Sequence, residues 1–366
     1  MAAILVTGAA GFIASNFVRH WWRQYPDDSI VILDALTYAG NLANLADAID
    51  AKHVCFVRGD ICDESLVVEL LERHRVATIV HFAAESHVDR SIVAPDAFIR
   101  TNVNGTYSLL QSALKVWKAN YEGRRFHHVS TDEVYGSLTL DGPPFTELSP
   151  YNPRSPYAAS KAASDMLVRS YGHTYDLPVT ISNSSNNYGP YQFPEKLVPL
   201  MILNALMGRA LPVYGDGLHV RDWIHVEDHC VALAAVLKKG RLGETYNIGG
   251  RAEMQNIELV KMVCNLIDKR FRDDHHLAER FSACPSAAGA TCQDLITYVK
   301  DRPGHDRRYA IDDEKVSREL GSQARRALAV GLADTVDWYI AHEDWWRPIQ
   351  SGEYRQWITS HYGLPV

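Results

Sequence analysis

The sequence predicts an α/β protein: a doubly wound parallel sheet that carries a smaller C-terminal α/β lobe. Three observations predict it. Short β-branched runs alternate with segments of helical apolar spacing over the first 185 residues. A turn with paired glycines joins the first such run to the first helical segment. Beyond about residue 186 the alternation gives way to loops rich in Asn, Pro, Tyr and Gly.

The runs Ala3–Thr7, Ser29–Asp34, Val54–Asp60, Thr78–Phe82, Phe126–Ser130 and Pro178–Asn183 read as strands. Helical spacing between most of them requires crossovers, and crossovers make neighbouring strands parallel. Past the loops Asn186–Pro194 and Gly215–Gly217, helices are expected near Lys196–Met207 and Val226–Lys239, with a short strand at Thr245–Ile248. The stretch from Arg270 to Thr291 mixes charges, His275-His276 and a Ser/Ala/Pro/Gly-rich tract, and reads as a flexible insertion. The domain division that follows is 1–185 plus roughly 217–245 for the sheet domain, and 186–216 with 246–366 for the lobe.

Lys plus Arg total 37 and Asp plus Glu 44, a net charge of −7, with 46% hydrophobic and 22% charged residues. That balance belongs to a globular protein and disfavours nucleic acid or anionic membranes as partners, so an anionic ligand needs a local cationic cluster. Met1 leads directly into Ile4-Leu5-Val6, and the most apolar long stretch, Leu197–Met207, is interrupted by Pro199 and Asn204. Neither reads as a leader or a membrane span. The six cysteines form no Cys-x-x-Cys pair and read as free thiols of a cytoplasmic protein. Cys284 and Cys292, inside a Pro/Ala/Gly-rich loop, are the one pair that suggests a bridge.

Strand Ala3–Thr7 runs into Gly8-Ala9-Ala10-Gly11-Phe12-Ile13-Ala14 and then a helical pattern. Glycines there let the backbone approach a pyrophosphate, and the opening N–H groups of the helix face its charge. Asp34 ends the second strand, where a carboxylate accepts from ribose hydroxyls and repels a 2′-phosphate. The segment is therefore a Rossmann-type site for NAD rather than NADP. Its Gly-x-x-Gly-Phe-Ile-Ala resembles the extended short-chain dehydrogenase/reductase superfamily, in which a glycine is usual where this chain has Ala14. One extra methyl at the helix–sheet contact is expected to alter packing slightly and leave NAD binding intact.

Tyr157-Ala-Ala-Ser-Lys161 follows Pro153 and Pro156, placing Tyr157 and Lys161 one helical turn apart. A phenol must approach neutrality to act as a base, and Lys161 with a positive nicotinamide can supply that shift. Ser130-Thr131-Asp132-Glu133 follows the fifth strand, at the sheet edge where ligands bind. Two adjacent acids with different proton affinities can serve one as acid and one as base.

With Ala83-Ala84-Glu85-Ser86-His87-Val88-Asp89-Arg90-Ser91, Asn186-Asn187-Tyr188-Gly189-Pro190, Glu195-Lys196-Leu197, Arg221-Asp222-Trp223 and Asp301-Arg302-Pro303-Gly304-His305-Asp306, the chain resembles the dTDP-glucose 4,6-dehydratase family. The resemblance runs from residue 5 to about 312. It implies a redox-neutral lyase reaction in which Tyr157 takes the proton of the sugar 4-hydroxyl as hydride passes to NAD, with Thr131 near that oxygen. Glu133 then removes the proton on carbon 5, Asp132 protonates the departing 6-hydroxyl, and hydride returns to carbon 6. For the cofactor it implies Gly8, Gly11, Phe12, Ile13, Asp34, Thr37, Asp60, Ile61, Ala83, Ala84, Ser86, Thr101, Tyr157, Lys161 and Asn187. For the nucleotide sugar it implies Ser86, Thr131, Asn186, Glu195, Lys196, Leu197, Pro212, Tyr214, Arg221, Asn256, Arg302 and His305, with Arg221 and Arg302 on the diphosphate. A homodimer through the helices around Ala97–Lys118 and Pro156–Tyr171, and a place in deoxysugar biosynthesis such as that of rhamnose, are further implications.

Competing readings are a UDP-glucose 4,6-dehydratase, a 4-epimerase or decarboxylase on the same scaffold, and a non-catalytic NAD-binding regulator. The pair Asp132-Glu133 argues against the epimerase and decarboxylase, which have no leaving hydroxyl to protonate. Intact Thr131, Tyr157 and Lys161 argue against the regulator. The pattern His225-Val-Glu-Asp-His229 lacks the Glu a zincin requires after its first His, and no metal is expected. Trp338, Tyr339, Trp345 and Trp346 read as core of the lobe rather than a base-stacking platform.

Overall fold

A computed structural model describes residues 3–49, 51 and 53–350. The sheet domain opens with β1 (Ala3–Thr7), α1 (Phe12–Gln24), β2 (Ser29–Asp34), β3 (Val54–Arg58), α2 (Glu64–Arg73) and β4 (Val76–His81). It continues through α3 (Val88–Val93), α4 (Pro95–Phe98), α5 (Gly105–Trp117), β5 (Arg125–Thr131), α6 (Pro156–Tyr175) and β6 (Val179–Ser184). The lobe begins with β7 (Asn186–Tyr188), α7 (Leu197–Leu206), β8 (Leu211–Tyr214) and β9 (Val220–His225). The chain then returns through α8 (Val226–Lys239) and β10 (Thr245–Ile248), and leaves again with β11 (Glu253–Gln255), α9 (Asn256–Asp273), α10 (His276–Arg280) and β12 (Ile296–Val299).

Seven strands form the main sheet in the order β10-β6-β5-β4-β1-β2-β3, every neighbouring pair parallel. The order reverses between β1 and β4, so the carboxyl ends of β1, β4 and β5 open one crevice. Central strands buried on both faces explain the unbroken apolar runs of β1 and β2. The strands agree with the sequence reading to within two residues at each end. The return to the sheet is α8 with β10, residues 226–248, whereas β9 pairs with β7 and β11 in a three-stranded sheet of the lobe.

Local chemistry sets the helices that matter. Gly11 precedes α1 in extended conformation, with no side-chain cap and no acid in the first turn, which leaves the opening N–H groups facing outward. Ala14 is buried against Ala10, Phe17 and Val18, so its methyl fills space rather than blocking the turn. Ser155 caps α6, its hydroxyl accepting from Ala158 N at 3.0 Å, and Pro156 occupies the first helical position.

The stretch 270–291 is packed, contrary to the flexible insertion expected from its composition. Leu277, Phe281, Cys284 and Cys292 are buried in the lobe core beside α7 and α9. The Asp268 carboxylate, on α9, draws the segment in by accepting from Ser286 Oγ at 2.6 Å, Thr291 Oγ1 at 2.7 Å and Cys292 N at 3.0 Å. All six cysteines are free; Cys284 and Cys292 approach to 3.6 Å without a bond. Tyr339, Trp345 and Trp346 join the same core, and Trp345 Nε1 donates to Asn44 Oδ1 at 2.7 Å, which ties the lobe to the sheet domain. Among the described residues no helix is long and apolar enough to cross a membrane.

Candidate active site

The turn after β1 forms the floor of the crevice. Gly8 has φ +70°, and a Cβ there would lie 2.6 Å from Ala83 Cα, so glycine is required both by conformation and by the close pass of the segment after β4. Asp34 is buried at the end of β2 and accepts from Ala10 N at 2.9 Å and Leu36 N at 2.7 Å. Burial raises its pKa while those two bonds lower it, and the carboxylate steadies the glycine turn beside it. An uncapped α1, a turn held to glycine and an acid at the end of β2 suit the pyrophosphate and ribose of a dinucleotide. Ala83, Ala84 and Ser86 follow β4 at the same edge, and Phe12 and Ile13 open α1. Thr37 follows β2, and Ile61 is buried against the position of Gly105. Asp60 is held by Arg100 at 2.7 Å and Cys62 N at 2.9 Å, and Thr101 lies on the wide helical turn before α5.

Thr131, Tyr157 and Lys161 converge, because β5 ends where α6 begins its first turn. Lys161 Nζ donates to Val129 O at 2.9 Å. Burial, then the charge of Glu133, pushes the Tyr157 phenol well above its ordinary pKa; Thr131 opposes them. Burial lowers Lys161 to about 8, with Asp165 opposing.

The two acids start a short helical turn directly after β5, and Glu133 N donates to Thr131 Oγ1 at 3.3 Å. Asp132 is buried, and its Oδ2 has no hydrogen-bond partner. Burial raises its pKa well above the ordinary value, and the charges of Glu133 and Asp222 add to the rise. Glu133 is also raised by burial, but Arg302, Arg221 and Lys196 pull it back down. The structure thus gives neighbouring carboxyls unequal proton affinities: Asp132 keeps a proton that Glu133 more readily loses.

Arg221 does not pair with Asp222. The two point to opposite faces of β9, where Asp222 accepts from Gly250 N at 2.8 Å and Ala252 N at 2.7 Å. Arg221 lies over the Tyr309 ring at 4.3 Å and donates to Val220 O at 2.7 Å and Asp306 O at 2.9 Å. Arg302 likewise avoids Asp301 and Asp306 as side-chain partners and approaches Asp89 at 3.6 Å. Asp301 instead bridges two stacked imidazoles, His305 at 2.7 Å and His219 at 3.4 Å. Lys196 Nζ donates to Ser86 O at 3.0 Å, and Glu195 is buried between Arg90 and His87. Asn186 Oδ1 and Asn256 Oδ1 are buried with no hydrogen-bond partner, as expected of groups that await a ligand. Tyr214 Oη donates to Asp89 at 3.3 Å from the end of β8, the strand that also holds Pro212, and Leu197 opens α7.

His225 and His229 have separate tasks. The His225 ring accepts from Glu227 N at 3.3 Å and caps α8, while His229 Nδ1 pairs with Asn187 Oδ1 at 2.8 Å. Four residues in the site went unassigned at the sequence level: Asp89, His128, Asp165 and Tyr309. Asp165 had a signal, because Tyr157, Lys161 and Asp165 recur at intervals of four along one helix. Tyr309 had none, since its contact with Arg221 joins distant parts of the lobe.

Comparison with known proteins adds three similarities. A family model described as GDP-mannose 4,6 dehydratase matches residues 5–335. A dTDP-glucose 4,6-dehydratase of Xanthomonas campestris pv. campestris is 54% identical over 361 residues, covering 97% of this chain and 98% of the relative. The crystal structure of a Streptomyces venezuelae dTDP-glucose 4,6-dehydratase with NAD bound is 48% identical with a TM-score of 0.83, covering 95% of this chain and 99% of that one.

Proposed function

The chain belongs to the dTDP-glucose 4,6-dehydratase family, within the wider GDP-mannose 4,6 dehydratase group, and from that premise we propose a reaction and a role for each residue of its site. The enzyme is a hydro-lyase that converts dTDP-glucose to dTDP-4-keto-6-deoxyglucose with NAD as cofactor. The observation that carries this reading is the unequal pair Asp132 and Glu133 beside Thr131, Tyr157 and Lys161.

The residues after β1 and β2, with Ala83, Ala84, Thr101 and Asn187, hold the dinucleotide. Once bound, NAD takes a hydride from carbon 4 of the sugar and returns it to carbon 6. Tyr157 receives the proton of the 4-hydroxyl, and Thr131, whose hydroxyl opposes the rise in the Tyr157 pKa, orients that oxygen. Lys161 lowers the proton affinity of the phenol by its charge. The 4-ketone acidifies carbon 5, whose proton passes to Glu133, where Arg302, Arg221 and Lys196 oppose the rise in proton affinity that burial causes. Asp132 donates its proton to the leaving 6-hydroxyl, and water departs. Arg221 and Arg302 bind the diphosphate; Asn186, Asn256 and His305 anchor the remainder of the nucleotide.

The active species is a homodimer in the cytoplasm. Ile99, Tyr107 and Met166 are exposed apolar residues around α5 and α6, which supports a helical dimer face. Light scattering of the purified protein tests it, with a monomer mass as the contrary result. The reaction is tested by incubating purified protein, with no added cofactor, with dTDP-glucose and separately with UDP-glucose. Loss of one water by mass from dTDP-glucose is expected. No water loss from either sugar after NAD is supplied would overturn the reading, and loss from UDP-glucose alone would change the nucleotide.

A further inference from the structure

Beneath the catalytic lysine lies a buried chain of three ionisable groups that the mechanism above does not use fully. Lys161 Nζ is 3.3 Å from His128 Nε2, and the same Nε2 is 3.2 Å from Asp165 Oδ1. All three side chains are buried. A ring nitrogen offers one lone pair or one proton, so Nε2 can accept from Lys161 or donate to Asp165 Oδ1 but not both, and the carboxylate reaches the ammonium by its charge across the ring. His128 Nδ1 has no hydrogen-bond partner, which leaves Nε2 as the working end of the ring.

The carboxylate is itself fixed. Asp165 Oδ2 accepts from Ser130 Oγ at 2.9 Å and from Tyr151 Oη at 2.8 Å, and Arg169 Nη2 donates to Tyr151 Oη at 3.2 Å. Burial raises Asp165 to about 6, opposed first by Lys161 and then by those hydroxyls, so it is ionised near neutrality. Burial and the Lys161 charge keep His128 neutral. A buried ammonium served only by a carbonyl and a neutral ring would tend to shed its proton, and the Asp165 charge is what opposes this.

We infer that Asp165, its charge set behind the His128 ring, is a positioning residue that holds the Lys161 ammonium charged near Tyr157. The groups facing these three side chains are Ser130 from β5, His81 from β4, Tyr135 and Tyr151 from the segment between β5 and α6, and Tyr157 and Arg169 from α6. None of them supplies a second carboxylate to replace Asp165.

The inference rests on the dehydratase reading, and wild-type turnover of dTDP-glucose checks that first. The test is the pH profile of kcat for wild type, Asp165→Asn and Tyr151→Phe, with KM and thermal unfolding measured alongside. Asp165→Asn is expected to lose about tenfold or more in kcat with KM unchanged, and its alkaline limb should move down by about one pH unit. Tyr151→Phe, which removes one of two hydroxyls from Asp165 Oδ2, should move the same limb in the same direction by less. Should Asp165→Asn fail to fold, the Tyr151→Phe profile decides: a downward shift supports the role of the Asp165 charge. Folded variants whose alkaline limb matches wild type would overturn it.

Discussion

Asp132 and Glu133 are neighbours in the chain and opposites in electrostatics. Asp132 is shut away with an unpartnered oxygen, the charges of Glu133 and Asp222 adding to its burial against Arg221 and the Thr131 hydroxyl, whereas Glu133 is opposed by Arg302, Arg221 and Lys196. Both sit on the short helical turn directly after β5. One turn thereby supplies both the acid and the base that an elimination needs.

Asp132→Asn with Glu133→Gln keeps the shape and removes both proton carriers. The oxidation at carbon 4 depends on Tyr157, Lys161 and NAD, and should survive. Substrate should therefore build up NADH absorbance at 340 nm while water loss falls by about 10³-fold or more. Full turnover by the double variant would sink the assignment of roles.

The same contrast sets a pH dependence. Glu133 works only when ionised, so activity climbs as pH rises through its raised pKa, which gives the acid limb. Asp132 and Lys161 work only when protonated, so activity falls again as pH rises through their pKa values, that of Lys161 lying at about 8. Arg302 is the first of the cations holding Glu133 down. In Arg302→Met the acid limb of kcat should thus move to higher pH; a limb that stays, or moves lower, contradicts the base role.

Much of this site was legible in the sequence, for reasons of locality. Gly8, Gly11 and Asp34 each sit at the end of an element, and Tyr157 and Lys161 share one helical turn, so spacing alone brings them together. The boundary of the lobe was harder. β9 and β10 are both short apolar runs, and only pairing partners decide that the first belongs to the lobe and the second to the main sheet. Composition misled at 270–291, where Ala, Ser, Pro and Gly suggest a loose loop. One buried-edge carboxylate, Asp268, gathers that segment against the core, and no local pattern announces such a long-range cap. The Arg221–Tyr309 stack was illegible for the same reason.

Gly8→Ala tests the cofactor turn. At φ +70° an alanine carries left-handed strain, and its Cβ would press on Ala83 backbone atoms 2.6 and 2.7 Å away. Strain of this kind costs about 1–3 kcal/mol before the clash is counted. The backbone at Ala83 must then shift, and Ala83 is among the residues proposed to hold the dinucleotide. The variant should unfold at lower temperature and be purified with little NAD, both read by calorimetry and by absorbance of the released cofactor. A variant that retains wild-type NAD content would show that the turn tolerates displacement.

Arg221→Lys separates charge from geometry at the diphosphate. Arg221 lies flat over Tyr309 while two of its nitrogens hold the carbonyls of Val220 and Asp306. That leaves the rigid fork aimed by three contacts, and a lysine can keep the charge but neither the stack nor the fork. Because the charge is retained, Glu133 should still feel a nearby cation and the chemical step should change little. Hydrogen bonds to charged groups contribute about 1.5–3 kcal/mol, so KM for dTDP-glucose should rise by about 10- to 100-fold with kcat within a few fold of wild type. The opposite split, an unchanged KM with a collapsed kcat, would place Arg221 at the reacting carbons rather than on the diphosphate.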